Sequence, residues 1–216
     1  MNQAKCIAAL LDFDGVIVDS ESQYSVFWSE VGKQYHPEMK DFASKVKGMA
    51  LVKIYDHYFK DNDQVQQEIT QGLNTLEATM SYDYIPGVVA FLEQLREKGV
   101  KTAIVTSSNL EKMKSVYAVH PEIHTLVDRI LTAEDFNRSK PDPDCYLLGA
   151  KIFGTVPENC VVFEDSFNGI KAGNAAGMAV VGLSTTNPEE ALVPLCRKVI
   201  PDFTRFNYEE MIKLLG

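Results

Sequence analysis

The hydrophobic positions of this chain fall into three textures. A short strand is predicted from Ala8 to Phe13, apolar through Leu11 and then running into acid in "LLDFDGVIVDS". From about Asp19 to Tyr84 the pattern is helical, carries scattered aromatics such as Trp28, Tyr55 and Tyr58, and contains no convincing buried strand. After Pro86 and Gly87 the chain alternates. Val88, Phe91, Leu92 and Leu95 recur at helical spacing and Gly99 offers a left-handed stop, which predicts a helix; "VKTAIVT" (Val100 to Thr106) then predicts a strand.

The same alternation continues downstream. "PDPDCYLLGAKIFG" reads as a helix capped by Asp142, with Pro143 in its first turn and Gly154 closing it. "CVVFED" (Cys160 to Asp165) is the next strand, followed by a helix from Phe167 to Ala176, a stop at Gly177 and a strand in "MAVVGL". Short apolar strands alternating with helices predict an α/β fold, a parallel sheet covered on both faces. The first strand belongs to that sheet, so residues 1–18 and 85–216 form the predicted core and 19–84 an inserted helical cap.

Composition narrows the partners. The 216 residues carry a net charge of -9, and no Lys/Arg cluster is interleaved with aromatics, which argues against nucleic acid. Cys6, Cys145, Cys160 and Cys196 lie far apart, with no Cys-x-x-Cys pair, and read as reduced thiols. The apolar run at Cys6 to Leu11 is too short to span a membrane and lacks a small-residue cleavage site, so no membrane partner and a cytoplasmic location are expected.

Candidate chemistry sits where the strands end. Residues two apart on extended chain face one side, so Asp12 and Asp14 point to one place and repel unless a cation lies between them. Ligands of open parallel sheets bind beyond the carboxyl ends of the strands. Those ends carry Asp12 and Asp14, then Thr106, Ser107 and Ser108, then Glu164 and Asp165, with Lys140 in the turn "SKPDP" between the last two. Carboxylates, hydroxyls and one ammonium suit a hard divalent cation such as Mg2+ together with a phosphoryl group. Lys140, Thr106, Ser107 and the backbone N–H groups near Asp14 and Gly15 are the candidate phosphate donors.

"DFDGV", "VTSS", "KPDP" and "FEDSFNGIKAG", in this order and each at a predicted strand end or loop, resemble the four motifs of the haloacid dehalogenase superfamily, with its Rossmann-like three-layer core. The helical insert resembles the cap of the subgroup that contains beta-phosphoglucomutase and related sugar-phosphate phosphatases. The resemblance implies that Asp12 is a nucleophile forming an aspartyl-phosphate and that Asp14 is the general acid and base. Mg2+ would be held by Asp12, the backbone carbonyl of Asp14 and Asp165, with Glu164 touching the ion directly or through another ligand. Because Asp14 is present, halide-displacing chemistry is disfavoured.

The cap departs from the phosphomutase pattern. Where that pattern has a histidine and an arginine, this chain has Tyr24 and, in "KGMALVK", Leu51. Lys53, two residues on, would point off that face. Tyr24, Met49 and Leu51 are therefore the expected specificity surface, and a phosphatase acting on a small phosphorylated metabolite is favoured over a sugar-phosphate mutase. The third reading, a non-catalytic phosphate-binding regulator, is disfavoured because every motif residue is present. A monomer or weak homodimer is expected. Ser108 reads as the cap of the following helix, Ser166 and Asn168 as turn residues, and His36, His57, His120 and His124 as surface residues.

Overall fold

The computed structural model describes residues 6–47, 49 and 51–215. The chain folds as two compact units, Met1–Asp19 with Tyr82–Gly216, and Ser20–Ser81. The first is an α/β unit built on six parallel strands: β1 (Ala8–Leu11), β2 (Lys101–Val105), β3 (Arg129–Leu131), β4 (Cys160–Glu164), β5 (Ala179–Leu183) and β6 (Lys198–Ile200), in the order β3-β2-β1-β4-β5-β6. The second holds α1 (Glu21–Tyr35), α2 (Phe42–Val46), α3 (Leu51–Tyr58) and α4 (Asp63–Thr79). Back in the first unit run α5 (Val88–Glu97), α6 (Leu110–Val119), α7 (Ile123–Leu126), α8 (Asp144–Ile152), α9 (Phe167–Ala175), α10 (Glu189–Leu192) and α11 (Tyr208–Ile212).

β1 is central because it is apolar on both faces. Leu11 pairs with Ile104 of β2 and with Phe163 of β4, and every residue of β1 is fully buried. On one face Leu10, Val105 and Val162 pack with Tyr146 of α8 and Ile170 of α9. On the other, Phe163 meets Phe91 of α5 at 5.4 Å and Phe203 at 5.6 Å between ring centroids, which completes three layers. Contacts of this size carry most of the burial energy of such a core.

Several boundaries differ from the sequence expectation for local reasons. β1 stops at Leu11 because the carbonyl of Phe13 accepts from Ile17 (2.8 Å) and Val18 (3.1 Å), turning the chain within the acidic loop. α8 begins one residue late: Pro143 is its N-cap, and Asp142 accepts the Asp144 N–H at 3.1 Å. Gly177, just past α9, has φ +75, the left-handed stop expected there.

The helical unit is held by rings. Trp28, Phe42, Ile54, Phe59 and Ile69 are buried together, and Phe42 stands edge-on to Tyr58 at 5.0 Å. Two histidines expected at the surface are half-buried instead and use one design. His36 caps α1 and His120 caps α6, each followed by Pro-Glu. His36 Nδ1 faces Glu38 (3.1 Å) and its Nε2 faces the Tyr58 carbonyl (3.0 Å); His120 Nδ1 faces Glu122 (3.0 Å) and its Nε2 the Tyr82 carbonyl (2.9 Å). The cysteines are free thiols, and no helix among the described residues is long and apolar enough to cross a membrane.

Candidate active site

The carboxyl ends of β1, β2 and β4 carry the site. Asp12 follows β1, where its N–H still donates to the Phe163 carbonyl at 3.0 Å, so its backbone is fixed by the sheet. Glu164 ends β4, fully buried, and Asp165 follows it at 5% exposure. Carboxylate oxygens of Asp12, Glu164 and Asp165 lie within 4.8 Å of one another. Burial, and then the neighbouring Glu164, push the Asp12 carboxyl up to about 7, with Lys140 only partly opposing them. Burial, Glu164 and Asp12 likewise push Asp165 well above the ordinary carboxyl range.

Lys140 is the cation that this cluster contains. Its Nζ donates to Asp12 Oδ1 at 2.6 Å, Glu164 Oε1 at 2.7 Å and the Val105 carbonyl at 3.0 Å, three acceptors for three protons. Burial alone would lower its pKa, but the two carboxylates outweigh that and hold it above the usual lysine range. Glu164 is the anchor: Oε1 also accepts from Tyr146 Oη at 2.8 Å, and Oε2 accepts from the N–H (3.2 Å) and hydroxyl (3.0 Å) of Ser166. Ser166 at the same time caps α9 by accepting from Gly169 N–H. A Cβ on Gly169 would sit 1.7 Å from Glu164 Oε1, which explains the glycine inside that helix.

The oxygen donor set of Asp12 and Asp165 fits a hard dication. Both are raised acids that one ammonium does not neutralise, and Glu164 has its oxygens engaged elsewhere. Gly15 sits in the turn that follows Asp14. At φ +75 it lies so near Asp165 that a Cβ would fall 2.1 Å from Oδ2. Its N–H, an expected phosphate donor, donates instead to the Val18 carbonyl at 2.8 Å because the loop turns back on itself. Thr186 donates to Asp165 Oδ2, and Asn187 Nδ2 to the Asp165 carbonyl at 2.8 Å, contacts not foreseen in the sequence.

Asp14 has its own cation. Lys112 Nζ lies 2.8 Å from both of its carboxylate oxygens, and Ser108 Oγ donates to Oδ2 at 3.1 Å. Ser108 is therefore not the helix cap: Asn109 is, accepting the Lys112 N–H at 2.9 Å. Thr106 is buried and accepts the Ser108 N–H at 3.0 Å, which leaves its own proton to donate. Ser107 is exposed on the turn and stands outside this hydrogen-bonded cluster among the described residues.

Residues 9–183 match the haloacid dehalogenase-like hydrolase family. The chain belongs to that family. It is 31% identical over 188 residues to hexitol phosphatase A of Escherichia coli K12, covering 83% of this chain and 84% of that protein. It is 27% identical over 195 residues to beta-phosphoglucomutase of Bacillus subtilis, covering 84% of each. Its fold is that of a HAD hydrolase, family IA, variant 3, from Entamoeba histolytica, with a TM-score of 0.84 at 23% identity over 97% of this chain and 99% of that one.

Family membership does not distinguish among such relatives, and the helical unit has a pocket of its own, about 310 Å3 in volume. Tyr24 from α1 and, much later in the chain, Met49 and Leu51 all line it, beside Trp28 and Ile54. Tyr24 Oη donates to Glu77 Oε1 at 2.6 Å, and Lys47 pairs with Glu21 at 3.7 Å on the same lining. Lys53 is exposed and not part of it, as its helical offset predicts.

Proposed function

We propose that this chain is a Mg2+-dependent phosphohydrolase that cleaves a small phosphate monoester, of a sugar or similar metabolite, through a phosphoryl group carried on Asp12. The observation that carries the reading is the Asp12, Glu164 and Asp165 cluster, with Lys140 bridging Asp12 and Glu164 at the strand ends. Naming of family relatives as hexitol phosphatase and pseudouridine-5'-phosphatase supports the substrate class.

Asp12, backed by the sheet, attacks phosphorus; the Asp12 oxygen–phosphorus bond forms as the ester oxygen–phosphorus bond breaks. Asp14 gives its proton to the departing alkoxide. A water then attacks the same phosphorus and gives its proton to Asp14, and Asp12 is released. The Thr106 hydroxyl and Lys140, which exchanges its contact with Asp12 for one with the ester, hold the phosphoryl oxygens, with Ser107 assigned an outer contact to them. The carboxylates of Asp12 and Asp165 and the carbonyl of Asp14 would hold Mg2+, which when bound offsets the charge gathered on the phosphoryl oxygens. Glu164 acts through Lys140.

We assign choice of ester to the pocket lined by Tyr24, Met49 and Leu51. Aromatic and apolar walls with carboxylate acceptors suit a neutral, hydroxyl-bearing group. Among the described residues the one cation that lines it, Lys47, is already paired with Glu21, which favours a monophosphate over a bisphosphate and hydrolysis over the mutase reaction. Asp12→Asn should lower turnover of p-nitrophenyl phosphate by about a thousandfold or more while the fold survives; unchanged turnover sinks the reading. A hexose 1-phosphate supplied with its bisphosphate and followed by NMR should release inorganic phosphate, whereas isomerisation without release would favour the mutase.

A further inference from the structure

Lys112 occupies a position that local physics disfavours. It lies in the first turn of α6, where the helix dipole disfavours a cation. Its side chain is nevertheless 9% exposed, folded back with Nζ 2.8 Å from both oxygens of Asp14. Ser108, on the loop that leads into the same helix, adds its hydroxyl at 3.1 Å. That loop is tied to the end of β2, since the Ser108 N–H donates to Thr106 Oγ1. Asp14 itself sits in a loop beyond the end of β1, partly exposed, and the Lys112 and Ser108 contacts restrict the rotation of its carboxyl.

We propose that Lys112 is a positioning residue for the reaction: with Ser108 it holds the plane of the Asp14 carboxyl toward the ester oxygen. The inference rests on the reading of Asp14 as general acid and base. The same acid must face the leaving oxygen in the first half and the attacking water in the second. Lys112 and Ser108 together anchor Oδ2, while Oδ1, held by Lys112 alone, is the oxygen that takes up and gives the proton on leaving that contact, and small misplacements of a proton donor are costly. Lys112 does not touch substrate in this role, and Lys140 remains the phosphate-facing lysine.

The test compares two aryl esters that differ in how much they need a proton. Phenyl phosphate leaves as a strongly basic phenolate; p-nitrophenyl phosphate leaves with little help. Because kcat/KM reports the first phosphoryl transfer, Lys112→Met should lower it about tenfold more for phenyl phosphate than for p-nitrophenyl phosphate. Lys112→Arg, which can still span both oxygens, should restore part of the loss, and Ser108→Ala should show the same selectivity more weakly. Ser108→Ala also carries the test if Lys112→Met does not fold by circular dichroism. Equal losses on the two esters, or none, overturn the proposal. Asp14→Asn run alongside separates the failures: if it is selective against phenyl phosphate while the Lys112 and Ser108 variants are not, only the positioning role falls. If Asp14→Asn is unselective too, the acid assignment falls with it.

Discussion

The strand-end cluster and the pocket of the helical unit are built from opposite materials. At the strand ends, acids, two lysines and hydroxyls are fixed by backbone that the parallel sheet holds in register, and each charge has a named partner. In the helical unit the lining is mainly ring and aliphatic surface, and the unit is held by aromatic contacts such as Phe42 against Tyr58. The contrast teaches a division of labour: a reaction needs charges placed to fractions of an ångström, whereas choosing a molecule needs shape, which packed side chains supply and can change piecemeal.

Breaking the electrostatic side should have the larger effect. Glu164→Ala leaves Lys140 and Tyr146 without their shared acceptor in a buried setting, and should cost about 3–5 kcal/mol of stability, read by urea denaturation. A loss under about 1 kcal/mol would mean the network relaxes freely. Next is the cation. Mg2+ at about a hundred times its dissociation constant should stabilise the fold by about 2–3 kcal/mol, a thermal shift of about 5 °C or more, and Asp165→Asn should abolish most of that shift. Equal shifts in both proteins would remove Asp165 from the metal site. Tyr24→Phe in the helical unit should cost only about 1 kcal/mol, by losing the bond to Glu77, yet reorder activity across a panel of phosphate esters. An unchanged order would detach the pocket from selectivity.

What could be read from the chain followed the same divide. β1, β2, β4 and β5 announce themselves as mainly apolar runs, and the acids sit at the ends of β1 and β4, where a parallel sheet places ligand chemistry. β3 and β6 have three residues each, with Arg129 exposed at the start of β3, so neither leaves a clear apolar signature. Lys112 is not legible as a partner of Asp14 because 98 residues separate them, although the helix that carries it is expected from the sequence. Ser108 has the hydroxyl that caps favour, but Asn109 is the cap because its side chain reaches the Lys112 N–H. The donor expected from Gly15 failed on a feature no local pattern states, the return of the loop onto itself.

The repeated His-Pro-Glu tripeptide stands openly in the sequence, at His36 and again at His120, with the same backbone bend and the same pair of acceptors. Nature has thus used one clasp twice, in two units of different architecture, to fasten the tail of a helix to a carbonyl far along the chain. Such a clasp is portable: three consecutive residues ending a helix, with an oxygen in reach, are all that a designer would need to graft.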